Sequence, residues 1–222
     1  LYVATTSLDT QTQIVWDMGA LASRDDVASR VLFVNVLIAS ASIPGAFPPV
    51  PLTYDHDGRQ VSEIHVDGGT VANFLVAPEP LLLADNLGAG GEGRIWVLIN
   101  GKPEPKFEVA TLSAARIAAR SFDTMMKAIT RSDLTNTAQF ARANGMTMNV
   151  AMIGPETEED SLDFGRENMD RLFQAGRSSM QAGLAWRTVM DAQGRAAPLL
   201  PPRTQSSTSD TVAAAGERTP DQ

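Results

Sequence analysis

Four prolines, Pro44, Pro48, Pro49 and Pro51, follow directly on Ala39-Ser40-Ala41-Ser42 and leave the chain little conformational choice there. Each ring locks φ at about −65° and removes an amide donor, and each disfavours helical geometry in the residue before it. The helical pattern that precedes them, Asp25–Ala41, must therefore stop, and a stiff, extended loop is expected to follow. That loop holds Phe47 where it can wall an apolar pocket. Ser23 is expected to cap the helix, with Asp25 and Asp26 favourably placed in its first turn.

Strand-like stretches flank this break. Leu1–Ser7 and Gln13–Asp17 read as two strands joined around Leu8-Asp9-Thr10, and Leu52–Tyr54 with Val61–Val66 reads as a hairpin around Asp55–Arg59. Pro78 is expected to open a short helix. Arg94–Asn100 is the near-continuous apolar kind of strand found in sheets covered on both faces, and Met146–Ile153 reads as another strand. Leu112, Ala115, Ala119, Phe122, Met126 and Ile129 recur at steps of three and four, a helical stripe expected to face the core rather than lipid. Arg166–Met190 reads as a last helical region. Strands alternating with helices imply an α/β fold over residues 1–195, and the Pro/Ser/Thr/Ala-rich stretch 196–222 is expected to be disordered. Because Leu1-Tyr2-Val3 already reads as strand, the chain is expected to be the C-terminal portion of a larger domain.

The run Glu63-Ile64-His65-Val66-Asp67-Gly68-Gly69-Thr70 carries the clearest chemical signal. Alternation puts Glu63, His65 and Asp67 on one face of a strand. A carboxylate at the strand's end, followed by two residues without side chains, can be approached closely by another part of the protein or by a ligand. That is how an acid or base is presented, although an Asp-Gly turn is also ordinary punctuation.

Composition closes several alternatives. A net charge of −8 argues against nucleic acid held through phosphates and against a broad polybasic lipid-binding surface. The chain has no cysteine, so thiolate chemistry and disulfides are excluded. Its two histidines, His56 and His65, lack recognisable metal-ligand spacing, and no metal or organic cofactor is expected. No apolar run is long enough to span a membrane.

Three motifs mislead. Gly88-Ala89-Gly90-Gly91-Glu92-Gly93 spells G-x-G-x-x-G, but a dinucleotide site needs strand, glycines, then helix, and here the order is reversed. Gly176-Arg177-Ser178-Ser179-Met180 falls one glycine short of the G-x-S-x-G elbow and lies within a helical pattern. Ser40 and Ser42 have no adjacent base or elbow and read as capping or packing residues.

Ala39-Ser40-Ala41-Ser42-Ile43-Pro44-Gly45-Ala46-Phe47-Pro48-Pro49 is similar to the A-S-x-x-x-P-x-x-F-P-P segment of the patatin family of serine acyl hydrolases. Val66-Asp67-Gly68-Gly69 matches that family's D-G-G/A motif, and Ala4-Thr5-Thr6-Ser7-Leu8-Asp9-Thr10 is like a strand of its domain. The resemblance is good from Leu1 to about Asn73, weaker to Arg187 and absent beyond. It implies a three-layer α/β/α sandwich with a mostly parallel central sheet, here lacking its N-terminal part. It also implies a Ser–Asp dyad in which Asp67 is the base, with Gly68, Gly69, Ser40 and Pro44 as supporting motif positions. The family's serine elbow and Gly-rich oxyanion loop have no counterpart in this chain.

The implied activity is cleavage of fatty-acyl esters of lipids through an acyl-serine intermediate, with peripheral contact to a membrane as an accompanying expectation. Burial would raise the Asp67 pKa and make it a better base. His65 lies about 6.6 Å along the strand from Asp67, too far for a direct relay, and reads as structural. The alternative is a catalytically inert α/β module that binds lipid or protein. The sequence leaves the oligomeric state open.

Overall fold

The structure is a computed structural model that describes residues 1–74, 93–107, 109, 112–154, 157, 163–191 and 193–198. The helix expected at Pro78, the run Gly88–Glu92 and the tail from residue 199 onward lie outside the described residues.

The first unit is a four-stranded antiparallel sheet in the order β2-β1-β4-β3. Strands β1 (Tyr2–Ser7) and β2 (Thr12–Asp17) form the expected hairpin. Its turn is held by Thr10 N–H donating to Ser7 Oγ at 3.2 Å. A second hairpin joins β3 (Val50–His56) to β4 (Arg59–Asp67). Asp57 and Gly58, with φ of 52° and 74°, make the tight left-handed turn that matches strand twist. β4 then pairs with β1, placing Thr5 opposite Asp67 and Ser7 opposite His65.

Two helices follow β2. In α1 (Met18–Ala22) the Asp17 carboxylate caps the N-terminus. In α2 (Val27–Ser40) the cap is Asp26, which accepts from the Ser29 N–H at 2.7 Å and from its hydroxyl at 2.8 Å. Those bonds hold the Asp26 carboxyl below its ordinary pKa. The expected cap, Ser23, instead closes the end of α1, donating its N–H to Gly19 O at 3.0 Å. Asp26 displaces it because a helix start uses an acceptor at its own first open turn. α2 lies on one sheet face, where Val36 and Ala39 pack with Trp16, Met18 and Leu52.

The second unit is β5 (Arg94–Ile99), β6 (Thr147–Met152) and β7 (Arg187–Met190), in that order. β5 and β6 run parallel, connected through α3 (Ala114–Ala143), while β6 and β7 are antiparallel. Leu134, Ala138 and Ala141 of α3 pack on Val97, Met148, Val150 and Val189.

The α/β class is therefore observed, but several expectations change. Among the described residues the strands form two sheets, and only β5 with β6 pairs in parallel: β1–β2 and β3–β4 are hairpins, antiparallel by construction, while β1–β4 and β6–β7 pair antiparallel across longer connections. β5 is covered on one face only: Val97 is buried while Leu98 is 75% exposed. The helical stripe turns inward only in its second half: Leu112 is 99% exposed and Ala115 and Ala119 are exposed, whereas Phe122, Met126 and Ile129 are half-buried. Full burial begins only farther along, at Leu134, where α3 passes over the second sheet. The region Arg166–Met190 divides into α4 (Arg166–Gln181) and β7, because Gly183 turns the chain at φ 71° and Val189 enters the second core.

Leu134 tests the second core. Leu134→Ala is expected to lower stability by about 2–5 kcal/mol in urea denaturation, whereas Leu98→Ala should stay within about 0.5 kcal/mol.

Candidate active site at the end of β4

Asp67 sits where β4 meets a single 3-10 turn, Gly68–Thr70. Its N–H donates to Ser42 O at 3.0 Å, which ties the strand end to the residue just past α2. Its Oδ1 accepts the Gly69 N–H at 2.7 Å. Its Oδ2 takes no hydrogen bond from any described residue. The side chain is half-buried, and burial pushes its pKa up, an effect only partly offset by the Gly69 N–H. The result is an oriented, desolvated carboxylate with one oxygen available.

The two glycines are needed for close packing within the chain. A Cβ on Gly68 would lie 2.5 Å from Ala4 O in β1, and one on Gly69 would lie 2.8 Å from Asn73 Oδ1 and 3.3 Å from Met126 Cε. The space that the sequence reserved for an incoming group is thus filled by β1, Asn73 and α3. Gly68 O is itself held, by Gln13 Nε2 at 3.1 Å and Thr6 Oγ1 at 3.4 Å.

The far side of the turn is clamped to α3. Asn73 N–H donates to Asp133 Oδ2 at 2.9 Å, and Asn73 Nδ2 donates to Thr130 Oγ1 at 2.8 Å and Met126 O at 3.3 Å. Burial raises the Asp133 pKa as well, against the opposing pull of the Asn73 N–H. Sequence reasoning missed Asn73, Thr130 and Asp133, since no local motif links residues sixty apart.

His65 is fully buried and belongs to another group of side chains. Its Nδ1 lies 2.9 Å from Thr5 Oγ1, which also accepts the Trp16 indole N–H at 2.8 Å. We assign the Nε2–H tautomer, because the Thr5 hydroxyl proton is then free to point at Nδ1. Nε2 faces Glu63 Oε2 at 3.5 Å, and neither atom has a hydrogen-bond partner. Desolvation lowers the His65 pKa, so the ring is neutral near pH 7. Its hydrogen bond goes to Thr5 rather than to Asp67, in keeping with a structural role.

The supporting positions are structural too. Ser42 Oγ donates to Ile38 O at 2.8 Å, and Ser40 is the half-buried last residue of α2. Pro44 starts a compact turn rather than an extended loop: Ala46 and Phe47 both donate their N–H to Ile43 O at 3.0 Å, with Gly45 at φ 84°. Glycine's freedom in the left-handed region lets the chain reverse between the prolines. The expected helical setting of Ser178 and Ser179 is observed in α4.

Residues 2–79 match the family described as Patatin-like phospholipase. That span contains the Ala39–Pro49 segment and Asp67-Gly68-Gly69, so the resemblance seen in the sequence is borne out over residues 2–79. No curated protein and no solved structure matches the chain.

Two outcomes test this geometry. Gly68→Ala places a methyl group against a backbone oxygen of a central strand and is expected to cost about 1–3 kcal/mol, read by thermal or urea denaturation. Asp67 should also make stability depend on pH. Its folded pKa exceeds its unfolded value, so between about pH 3.9 and the raised pKa the native state holds a proton that the unfolded chain has lost. Stability therefore falls as pH rises through that interval and stays lower above it. Asp67→Asn should remove this part of the slope and melt above the parent near pH 7, leaving the parallel contribution of Asp133. A melting profile identical to the parent's from pH 3 to 7 would contradict the shift.

Proposed function

We propose that Asp67 is the base of a Ser–Asp dyad that hydrolyses fatty-acyl esters of lipids. The observation that supports this most directly is the carboxylate's state: half-buried, raised in pKa and free at Oδ2, on the Asp-Gly-Gly turn of the patatin-like span. No serine of this chain lies in a G-x-S-x-G elbow. The nucleophile and the oxyanion donors accordingly belong to a part of the protein upstream of Leu1. In the same reading, residues 1–195 are a portion of a larger domain, and the three-layer sandwich with a mostly parallel central sheet is a feature of that whole.

The chemistry proceeds in two balanced stages. Asp67 Oδ2 accepts the serine proton as the serine oxygen attacks the ester carbonyl, and the proton passes to the departing alcohol. Water then gives a proton to Asp67 while its oxygen attacks the acyl-serine, and that proton returns to the serine as the fatty acid leaves. An aspartate of ordinary pKa is a weak base for a hydroxyl, and desolvation narrows that gap. Neither stage requires His65. Among the described residues no helix is long and apolar enough to cross a membrane.

In the protein carrying the upstream segment, Asp67→Asn is expected to reduce hydrolysis of p-nitrophenyl butyrate by about 10²–10⁴-fold, with circular dichroism unchanged. Retained turnover would remove Asp67 from the reaction. An inactive unmodified protein that still binds lipid would favour the inert module, the reading supported by the missing elbow.

A further inference from the structure

The turn that begins at Asp67 ends in the second unit. Phe74 packs against the second core. Asn73 is bound to α3 at three points: its N–H donates to Asp133 Oδ2 at 2.9 Å, and its Nδ2 donates to Thr130 Oγ1 at 2.8 Å and to Met126 O at 3.3 Å. Met126, Thr130 and Asp133 fall within about 60° of the helix circumference at ~100° per residue, in line with buried Thr137. The sense of these bonds is fixed. Thr130 Oγ1 donates its own proton to Met126 O at 2.9 Å, so toward Asn73 it can only accept.

Asp133 is the member whose presence most needs a reason. It is a half-buried carboxylate that has lost hydration, and no cation among the described residues pairs with it. Its one hydrogen bond there comes from the Asn73 N–H. Such a charge-assisted bond is roughly twice as strong as a neutral one, and it fixes the direction of its donor. Apolar contact alone, as between the exposed rings of Phe47 and Phe164, joins surfaces without setting direction.

Asn73 reaches Asp67 through Gly69. Asn73 Oδ1, Asp67 Oδ1 and Met126 Cε lie 2.8, 3.0 and 3.3 Å from the position a Cβ would take on Gly69, so the three groups close around that residue. Gly69 in turn supplies the one N–H that the Asp67 carboxylate accepts among the described residues. A shift of Asn73 is therefore passed by contact to Gly69, and a shift of Gly69 turns the carboxylate. We propose that Asp133 is a positioning residue for Asp67, setting through Asn73 and Gly69 the plane in which the free Oδ2 meets the serine. This rests on the dyad reading of Asp67. It makes α3 part of the machinery of the site, although α3 supplies no group that touches substrate.

The test begins with NMR of the isotopically labelled 222-residue chain near pH 7, well below its melting temperature. Asp133→Ala is expected to move the Gly69 amide proton upfield and to speed its hydrogen exchange by about tenfold or more, with amides of the β3–β4 hairpin unchanged. Asp133→Asn, which keeps an oxygen toward the Asn73 N–H, should stay nearer the parent. Thr130→Val removes the acceptor of Asn73 Nδ2, should act in the direction of Asp133→Ala, and decides the matter if that variant does not fold. In the protein carrying the upstream segment, Asp133→Ala should lower kcat for p-nitrophenyl butyrate by about tenfold or more, with KM held within about twofold. A residue that merely held the two units together would lower the melting temperature and leave Gly69 and kcat alone. The proposal is overturned if Gly69 responds to neither Asp133→Ala nor Thr130→Val, if Asp133→Asn disturbs it as fully as Asp133→Ala, or if KM rises with kcat unchanged. A silent Gly69 beside an inactive Asp67→Asn overturns this proposal alone, whereas retained hydrolysis in Asp67→Asn removes the dyad and, with it, the role given to Asp133.

Discussion

A backbone oxygen of β1 occupies the ground where residue 68 would otherwise carry a side chain. With Ala4 O only 2.5 Å from that Cβ position, the turn after Asp67 can lie against β1 solely because residue 68 is glycine. β1 is itself paired on both edges, to β2 and to β4, so it offers a fixed wall rather than a yielding one. The direction in which Asp67 leaves the sheet is thus set by main-chain contact. Thr6 and Gln13 reinforce it by holding the Gly68 carbonyl, and Asn73 joins the other end of the turn to α3. A carboxylate placed this way keeps its orientation without needing a charged partner, which suits a group that must change protonation state.

The same sheet face also keeps cations away from Asp67. The nearest titratable neighbour along β4, His65, is buried against Trp16 and Tyr54 and is neutral because burial disfavours its charged form. Had His65 carried a proton permanently, its charge would have pulled the Asp67 pKa down and weakened it as a base. Burial outweighs the opposing pull of Glu63, whose Oε2 lies 3.5 Å from Nε2, and of Asp9, so the His65 pKa stays below its ordinary value. The buried polar group around Thr5 therefore acts as packing that happens to be polar, and its neutrality helps to leave the raised pKa of Asp67 in place.

Local pattern made the first unit readable. Both hairpins, the helix before the prolines and the placement of Asp67 at a strand end follow from alternation, turn residues and proline geometry, all of which act within a few residues. What escaped depended on partners distant in the chain. Whether β5 is covered on one face or two depends on where α3 crosses it, and whether the α3 stripe is core depends on how far the sheet extends beneath it. The β7 strand was hidden because Arg187-Thr188-Val189-Met190 is too short to show a period and gains its identity from pairing with β6. In the site, Gly68 and Gly69 were recognised as necessary, but the reason was close contact with β1 and α3 rather than open room. Asn73 and Asp133 meet across sixty positions, a separation at which no spacing rule operates.

The two oxygens of Asp67 have different situations, and that asymmetry bears on what the group can do. Oδ1 is committed to the Gly69 N–H, which favours the charged form and fixes the plane of the carboxylate. Desolvation opposes this and prevails, leaving the pKa raised. Donors on both oxygens would have stabilised the anion further and weakened it as a base; donors on neither would have let the group rotate. Ser42 touches Asp67 through the backbone, but its hydroxyl donates to Ile38 O rather than to Oδ2. In the proposed dyad, a base oriented on one oxygen and vacant on the other, beside a serine already occupied, takes its partner from elsewhere in the protein.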